Sequence, residues 1–154
     1  MKKKFLILVF CIFVFNCSNK NDFDNIISKE WDKCDKKNEC VIDFAHIMNF
    51  NWDTMCFYSA ANSLEEINND LGTELKDFTD IGDRIIFLDN GKIVYHKEWF
   101  YSSIQETKGV IFVTSLSKFK VSKFNSKFKV SKKNKIFFIE SLDNDNVPNR
   151  ELLE

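Results

Sequence analysis

Few residues in this chain carry the chemistry of catalysis. Its 154 residues include two histidines, His46 and His96. Each lies within an apolar, strand-like run, where an imidazole more often serves structure than proton transfer. Asp43 and Asp53 stand beside such runs, and a carboxylate pair is the minimum equipment for hydrolytic acid–base work. Carboxylates near strand ends are, however, usually solvated or bonded to neighbouring backbone. None of G-x-S-x-G, H-E-x-x-H, G-x-x-x-x-G-K-[ST] or G-x-G-x-x-G occurs. The residues point to a protein that is not an enzyme and needs no cofactor or metal. A hydrolase using Asp43, Asp53 and His46 stands as the rival from another class.

The five cysteines have to be read with the N-terminus. Met1-Lys2-Lys3-Lys4 precedes eleven apolar residues, Phe5 to Phe15, and then Asn16-Cys17-Ser18. A basic start and an apolar run of this length form an export signal, too short for the roughly 20 residues that a spanning helix needs. Val14-Phe15-Asn16-Cys17 resembles the lipobox of bacterial lipoproteins, in which the cysteine receives a diacylglycerol and becomes residue one after cleavage. Asn16 departs from the small residue usual before that cysteine. Looser boxes of this kind are typical of Bacteroidetes-type lipoproteins, and the excess of Lys over Arg, 20 to 2, agrees with an A/T-rich genome. The resemblance covers the first 17 or so residues. It implies a signal peptide over 1–16, acylated Cys17 and a polar tether over 17–24. Each buried CH₂ of an acyl chain contributes roughly 0.8 kcal/mol, so a diacyl anchor is effectively permanent. The protein is then exported and held in the bacterial cell envelope. Cys34 and Cys40, in an oxidising space, are candidates for a short-loop disulfide, with free thiols as the alternative. Cys56, inside an apolar run, reads as a small hydrophobe.

Positioning these groups requires one domain over 25–141, followed by a polar tail over 142–154. Hydrophobic residues make up 44% and there are 17 Phe, enough for a sizeable core. Phe23, Ile26, Ile27 and Trp31 fall at helical spacing after a capping candidate, Asp22 or Asp24. Residues 41–47 and 52–58 read as strands. Ser63-Leu64-Glu65-Glu66 is a capping box, followed by Ile67 and Leu71 at helical spacing and by Gly72 as the stop. Asn90-Gly91 between two apolar runs predicts a tight hairpin. Pairing Leu88 with Ile93 places Ile86, Leu88, Ile93 and Tyr95 on one face, and Ile85, Phe87, Val94 and His96 on the other. Strands follow at 110–116 and 135–141. Between them, Ser-Lys-Phe-Lys-Val-Ser-Lys occurs at 117–123 and again at 126–132. A turn at Asn125-Ser126 predicts a hairpin that pairs Val121 with Val130. The fold class is α+β, a mostly antiparallel, hairpin-rich sheet of about five to seven strands with one or two short helices.

Charge supplies the remaining functional signal. Residues 108–139 hold nine lysines and no Asp or Glu, whereas the mature chain carries −4 overall. In the hairpin register Lys118, Lys120, Lys127 and Lys129 share an exposed face with Phe124 near the turn. This candidate partner surface suits an acidic envelope protein or a phosphate-rich surface, but equally serves solubility and edge protection. Nucleic acid is not expected as a partner of an exported protein.

Val41-Ile42-Asp43-Phe44, Phe50-x-Trp52-Asp53, Phe57-Tyr58 and Ser63-x-Glu65-Glu66-Ile67 with Leu71-Gly72 resemble a pattern in small, uncharacterised bacterial lipoproteins. That resemblance implies the same address and type of fold, and no activity. Read from the residues themselves, the pattern is structural, and Trp52 is expected to pack beneath the helix that Ser63 begins. The resulting expectation is a lipid-anchored protein with a non-catalytic binding domain. An inhibitor or immunity-type lipoprotein and an envelope hydrolase are its alternatives.

Overall fold

The computed structural model describes residues 22–35, 38–79, 82–100 and 109–142. The expected signal peptide, Cys17 and the tail beyond Leu142 lie outside the described residues. No helix among the described residues is long and apolar enough to cross a membrane.

The chain forms an α+β sandwich of eight strands in two four-stranded sheets, with three short α-helices. The order of elements is α1 (Phe23–Asp32), β1 (Glu39–Asp43), α2 (Phe44–Ile47), β2 (Thr54–Tyr58), α3 (Leu64–Leu71), β3 (Asp83–Asp89), β4 (Lys92–Trp99), β5 (Gly109–Phe112), β6 (Lys118–Ser122), β7 (Lys127–Lys133) and β8 (Ile136–Ser141). The first sheet runs β1-β7-β8-β5 and the second β4-β3-β2-β6. Every pairing is antiparallel except that of β5 with β8.

Strand alternation explains the layers. Ile42, Phe128, Val130, Phe137, Ile139, Val110 and Phe112 line the inner face of the first sheet. Met55, Phe57, Ile85, Phe87, Phe119 and Val121 oppose them from the second. Phe57 meets Phe112 across the interface at 5.2 Å between ring centroids. The other face of the second sheet presents Cys56, Tyr58, Ile86 and Leu88, which are covered by Ile67 and Leu71 of α3 and by Leu75. Burial on both faces is why β2 and β3 read as continuous apolar runs.

The two strongest local signals form as their residues require. Ser63 Oγ accepts from the Glu66 amide at 3.3 Å, and Glu66 Oε2 accepts from the Ser63 amide at 2.8 Å. These bonds hold the Glu66 carboxyl below its ordinary pKa, the backbone bond with Ser63 being the main cause. Asn90 and Gly91 take φ of 51° and 73°, the left-handed values of a tight hairpin turn. Leu88 pairs with Ile93 as expected, but Phe87 then pairs with Tyr95, so Val94 is a bulge. The bulge transfers Tyr95 to the inter-sheet core and His96 to the face of Ile86, reversing the expected faces for both.

Other expectations are corrected by long-range contacts. The first strand stops at Asp43, which caps the single turn of α2 by accepting from the Ala45 amide at 3.0 Å, so His46 is not on a strand. Trp52 packs against Phe87, at 5.0 Å, in the inter-sheet core rather than under α3. Phe23 is 0% exposed and Asp24 is helical, so the tether ends before them and the domain begins ahead of residue 25. Asp22 occupies the N-cap position without a side-chain cap bond, because its carboxylate is drawn to Lys97 of β4.

The 117–132 repeat undergoes the largest change. β6 pairs with β2 and β7 pairs with β1 and β8, so the two copies lie in different sheets and form no hairpin. A 3₁₀ turn at Lys123–Asn125 carries the chain from one sheet to the other. Phe119, Val121, Phe128 and Val130 are all buried, as expected, but they face one another across the core.

Candidate functional site

Placing the repeat in two sheets divides the lysine surface. Lys118 and Lys120 project from the outward face of the second sheet, where α3 lies. Lys120 Nζ donates to the Asp70 carbonyl at 2.9 Å and lies 3.5 Å from its carboxylate. The positive charge of Lys118 acts on Glu66, one helical turn earlier. These two lysines therefore secure an acidic helix to the sheet. Tyr58 joins the arrangement by donating to Asp70 at 2.7 Å, and burial pushes its phenol pKa upward. Beneath them, burial pushes the Cys56 thiol up to about 12.

Lys127 and Lys129 project from the outward face of the first sheet. The Glu39 carboxylate, 2.7 Å from Lys129 Nζ, raises the lysine pKa. Phe124 is 93% exposed on the 3₁₀ turn between the sheets. It belongs to neither lysine pair. The four-lysine face with its aromatic anchor is thus two separate pairs and an isolated ring.

The acid candidates bond to nearby backbone amides. Asp43 accepts from the Ala45 amide, lies 3.1 Å from His46 Nδ1 and receives Ser126 Oγ at 3.5 Å. The group contains the components of a nucleophilic triad in the wrong order, because the carboxylate stands between serine and histidine. Buried Ser126 gives its shorter hydrogen bond, 2.7 Å, to the Lys123 carbonyl, and the His46 side chain is 81% exposed. Asp53 accepts from the Asn90 amide at 2.6 Å and so holds the hairpin turn. Among the described residues no three His, Cys, Asp or Glu side chains are grouped so as to hold a metal ion.

Cys34 and Cys40 are joined in a disulfide, with their Cα atoms 6.1 Å apart. The bridge links the end of α1 to the start of β1 and borders a groove of about 470 Å³. Lys33, Glu39, Val41, Lys129 and Leu142 also line this groove. It opens onto the outward face of the first sheet, where one row runs Val41, Lys129, Glu140 and the next runs Glu39, Ser131, Phe138, Ile111. Val41 is 56% exposed, Val113 48% and Leu142 44%. No described helix covers this face. Sequence reasoning missed it, since both faces of 136–142 are apolar and alternation there does not identify the outer one.

A second missed cluster fixes the start of the domain. Phe23 N donates to Tyr95 Oη at 3.0 Å, and Trp99 Nε1 donates to Asp24 Oδ1 at 2.7 Å. Lys97 lies between the carboxylates of Asp22 and Asp24. Burial raises the Asp24 pKa and also pushes the Tyr95 phenol up to about 12. All the partners come from β4, about 75 residues away, and only the acidic start of α1 hinted at them. No family model, curated protein or solved structure matches the chain.

Proposed function

We propose that the chain is a lipid-anchored protein of the bacterial cell envelope that acts by binding another envelope protein. The anchor is the acylated Cys17 inferred from the N-terminal pattern. The binding surface is the outward face of the first sheet with its disulfide-bordered groove. The observation that carries this reading is the contrast between the two outward faces. One is sealed by α3, whereas the other leaves Val41 and Leu142 exposed along a groove and Val113 exposed at the opposite edge of the sheet. Exposed apolar side chains interspersed with charges of both signs, beside a groove, suit a protein-binding face. Glu39, Glu140 and Asp43 accompany Lys127, Lys129 and Lys133 there, so the partner needs no strong acidity. The hydrolase alternative has less support, because Asp43 and Asp53 are committed to backbone amides.

Photo-crosslinking in the native cells tests this reading. A photoreactive residue at Val41 is expected to give one discrete adduct in the membrane fraction, and one at Glu65, on α3, none. Equal labelling from both positions, or none from Val41, would overturn the assignment of the surface. Metabolic labelling with a fatty-acid analogue tests the anchor separately, since Cys17→Ala should abolish incorporation.

A further inference from the structure

The β7–β8 turn carries Lys132, Lys133 and Lys135 around Asn134, and all four side chains are exposed. Asn134, at φ 57°, closes this turn and keeps the three lysines at one end of the first sheet. Lys132 Nζ rests 4.8 Å from the centre of the Phe137 ring, which orients it over that end. Neighbouring ammonium groups repel one another unless solvent or an anionic layer relieves them.

The chain enters the domain at this same end. The Gly109 amide lies 3.5 Å from the Lys135 carbonyl, and a Cβ added at Gly109 would stand 3.3 Å from Asp24 Oδ2. The first turn of α1 and the β7–β8 turn therefore flank one strand end. A shallow groove of about 520 Å³ between them is lined by Asp22, Asp24, Asn25, Lys132 and Asn134. Lys97 bridges the two aspartates, and among the described residues this end gathers Lys97, Lys132, Lys133 and Lys135 around Asp22 and Asp24.

Chain length then limits orientation. Four residues separate Cys17 from Asp22, and the five Cα-to-Cα steps reach at most about 18 Å. A domain of this size is roughly 35 Å across. Buried Phe23 prevents α1 from unwinding to lengthen the tether. Phe124 precedes β7 whereas the three lysines lie at or just beyond its far end, and that strand separates the two ends by roughly 20 Å. The anchor thus holds the lysine end near the bilayer.

We propose that the β7–β8 turn is the membrane-facing end of the anchored protein, with Lys132, Lys133 and Lys135 contacting the phosphate headgroups of anionic lipids. This orientation rests on acylation of Cys17, and it directs Phe124 away from the bilayer. Polybasic clusters beside an anchor are held by anionic headgroups in this way.

The test uses the processed full-length protein, purified in detergent and reconstituted into vesicles of phosphatidylethanolamine with phosphatidylglycerol, or of phosphatidylcholine alone. Mass analysis of the N-terminal peptide reports acylation, and amide hydrogen exchange reports contact. Amides of residues 132–136 are expected to exchange at least threefold more slowly on the anionic vesicles. The variant K132Q/K133Q/K135Q should lose that difference while remaining anchored, and exchange at the Asn90-Gly91 turn should not depend on the lipid. Equal exchange of the lysine turn on both vesicles, or a difference that survives the triple substitution, would overturn the proposal alone. An N-terminal peptide without acyl groups would overturn the reading beneath it and the proposal together.

Discussion

Phe23→Ala distinguishes a core residue from a tether residue, and the expected effect is large. The ring lies 5.4 Å from Phe44, 5.7 Å from Trp99, 6.3 Å from Phe87 and 6.4 Å from Phe112. It joins α1 to both sheets and is wholly buried. Truncating such a phenylalanine costs about 3–5 kcal/mol through lost transfer energy and the cavity left behind. The Phe23 amide keeps its bond to Tyr95 in the alanine variant, so the loss belongs to the ring. At a urea m-value of about 1.5 kcal/mol/M, a 4 kcal/mol loss lowers the midpoint by roughly 2.5 M. That loss is about a quarter or more of the roughly 5–15 kcal/mol that keeps a domain folded. Equilibrium urea unfolding followed by tryptophan fluorescence is the assay. Tyr95→Phe serves as its companion, since it orphans the Phe23 amide and should cost about 1 kcal/mol. A midpoint for Phe23→Ala within a few tenths molar of wild type would show that α1 contributes nothing to the fold. It would also remove the short tether on which the orientation argument depends.

Three further outcomes follow from the described contacts. Reducing the Cys34–Cys40 bridge, which joins positions six apart, should cost roughly 2 kcal/mol by the loop-entropy relation; thermal midpoints with and without reductant should differ accordingly. Lys120→Gln should loosen α3 by about 1 kcal/mol, seen as faster exchange of the 64–71 amides with little change in the first sheet. Glu66 has a lowered folded pKa, so its stabilisation is present above the ordinary value of 4.5 and is lost as pH falls through the folded pKa. Glu66→Gln should therefore be less stable than wild type at pH 7 and converge with it in acid, as measured by urea midpoints across pH; a gap that does not change with pH would contradict the capping contribution.

The sequence by itself determined what neighbouring residues settle among themselves. Ser63 and Glu66 satisfy each other's backbone amides within one turn, and Asn90-Gly91 adopts positive φ with little steric cost, so both features are legible without a partner. The inward set Phe119, Val121, Phe128 and Val130 was legible too, because alternation with lysine leaves one apolar face on each strand. Tertiary structure decided which elements those faces meet. Val121 and Val130 fit a shared hairpin as well as two opposing sheets, and the choice came from the edges that β2, β1 and β8 offered. Lys118 and Lys120 became supports for α3 only because Glu66 and Asp70 came to lie over them. Asp22 and Asp24 left the tether for the same kind of reason, since Lys97 and Trp99 reach them from β4 after a separation of about 75 residues. Local conformational energies act within a few residues and are encoded where they act. Partners brought together across a long loop depend on the whole packing arrangement, and no short stretch of sequence contains it.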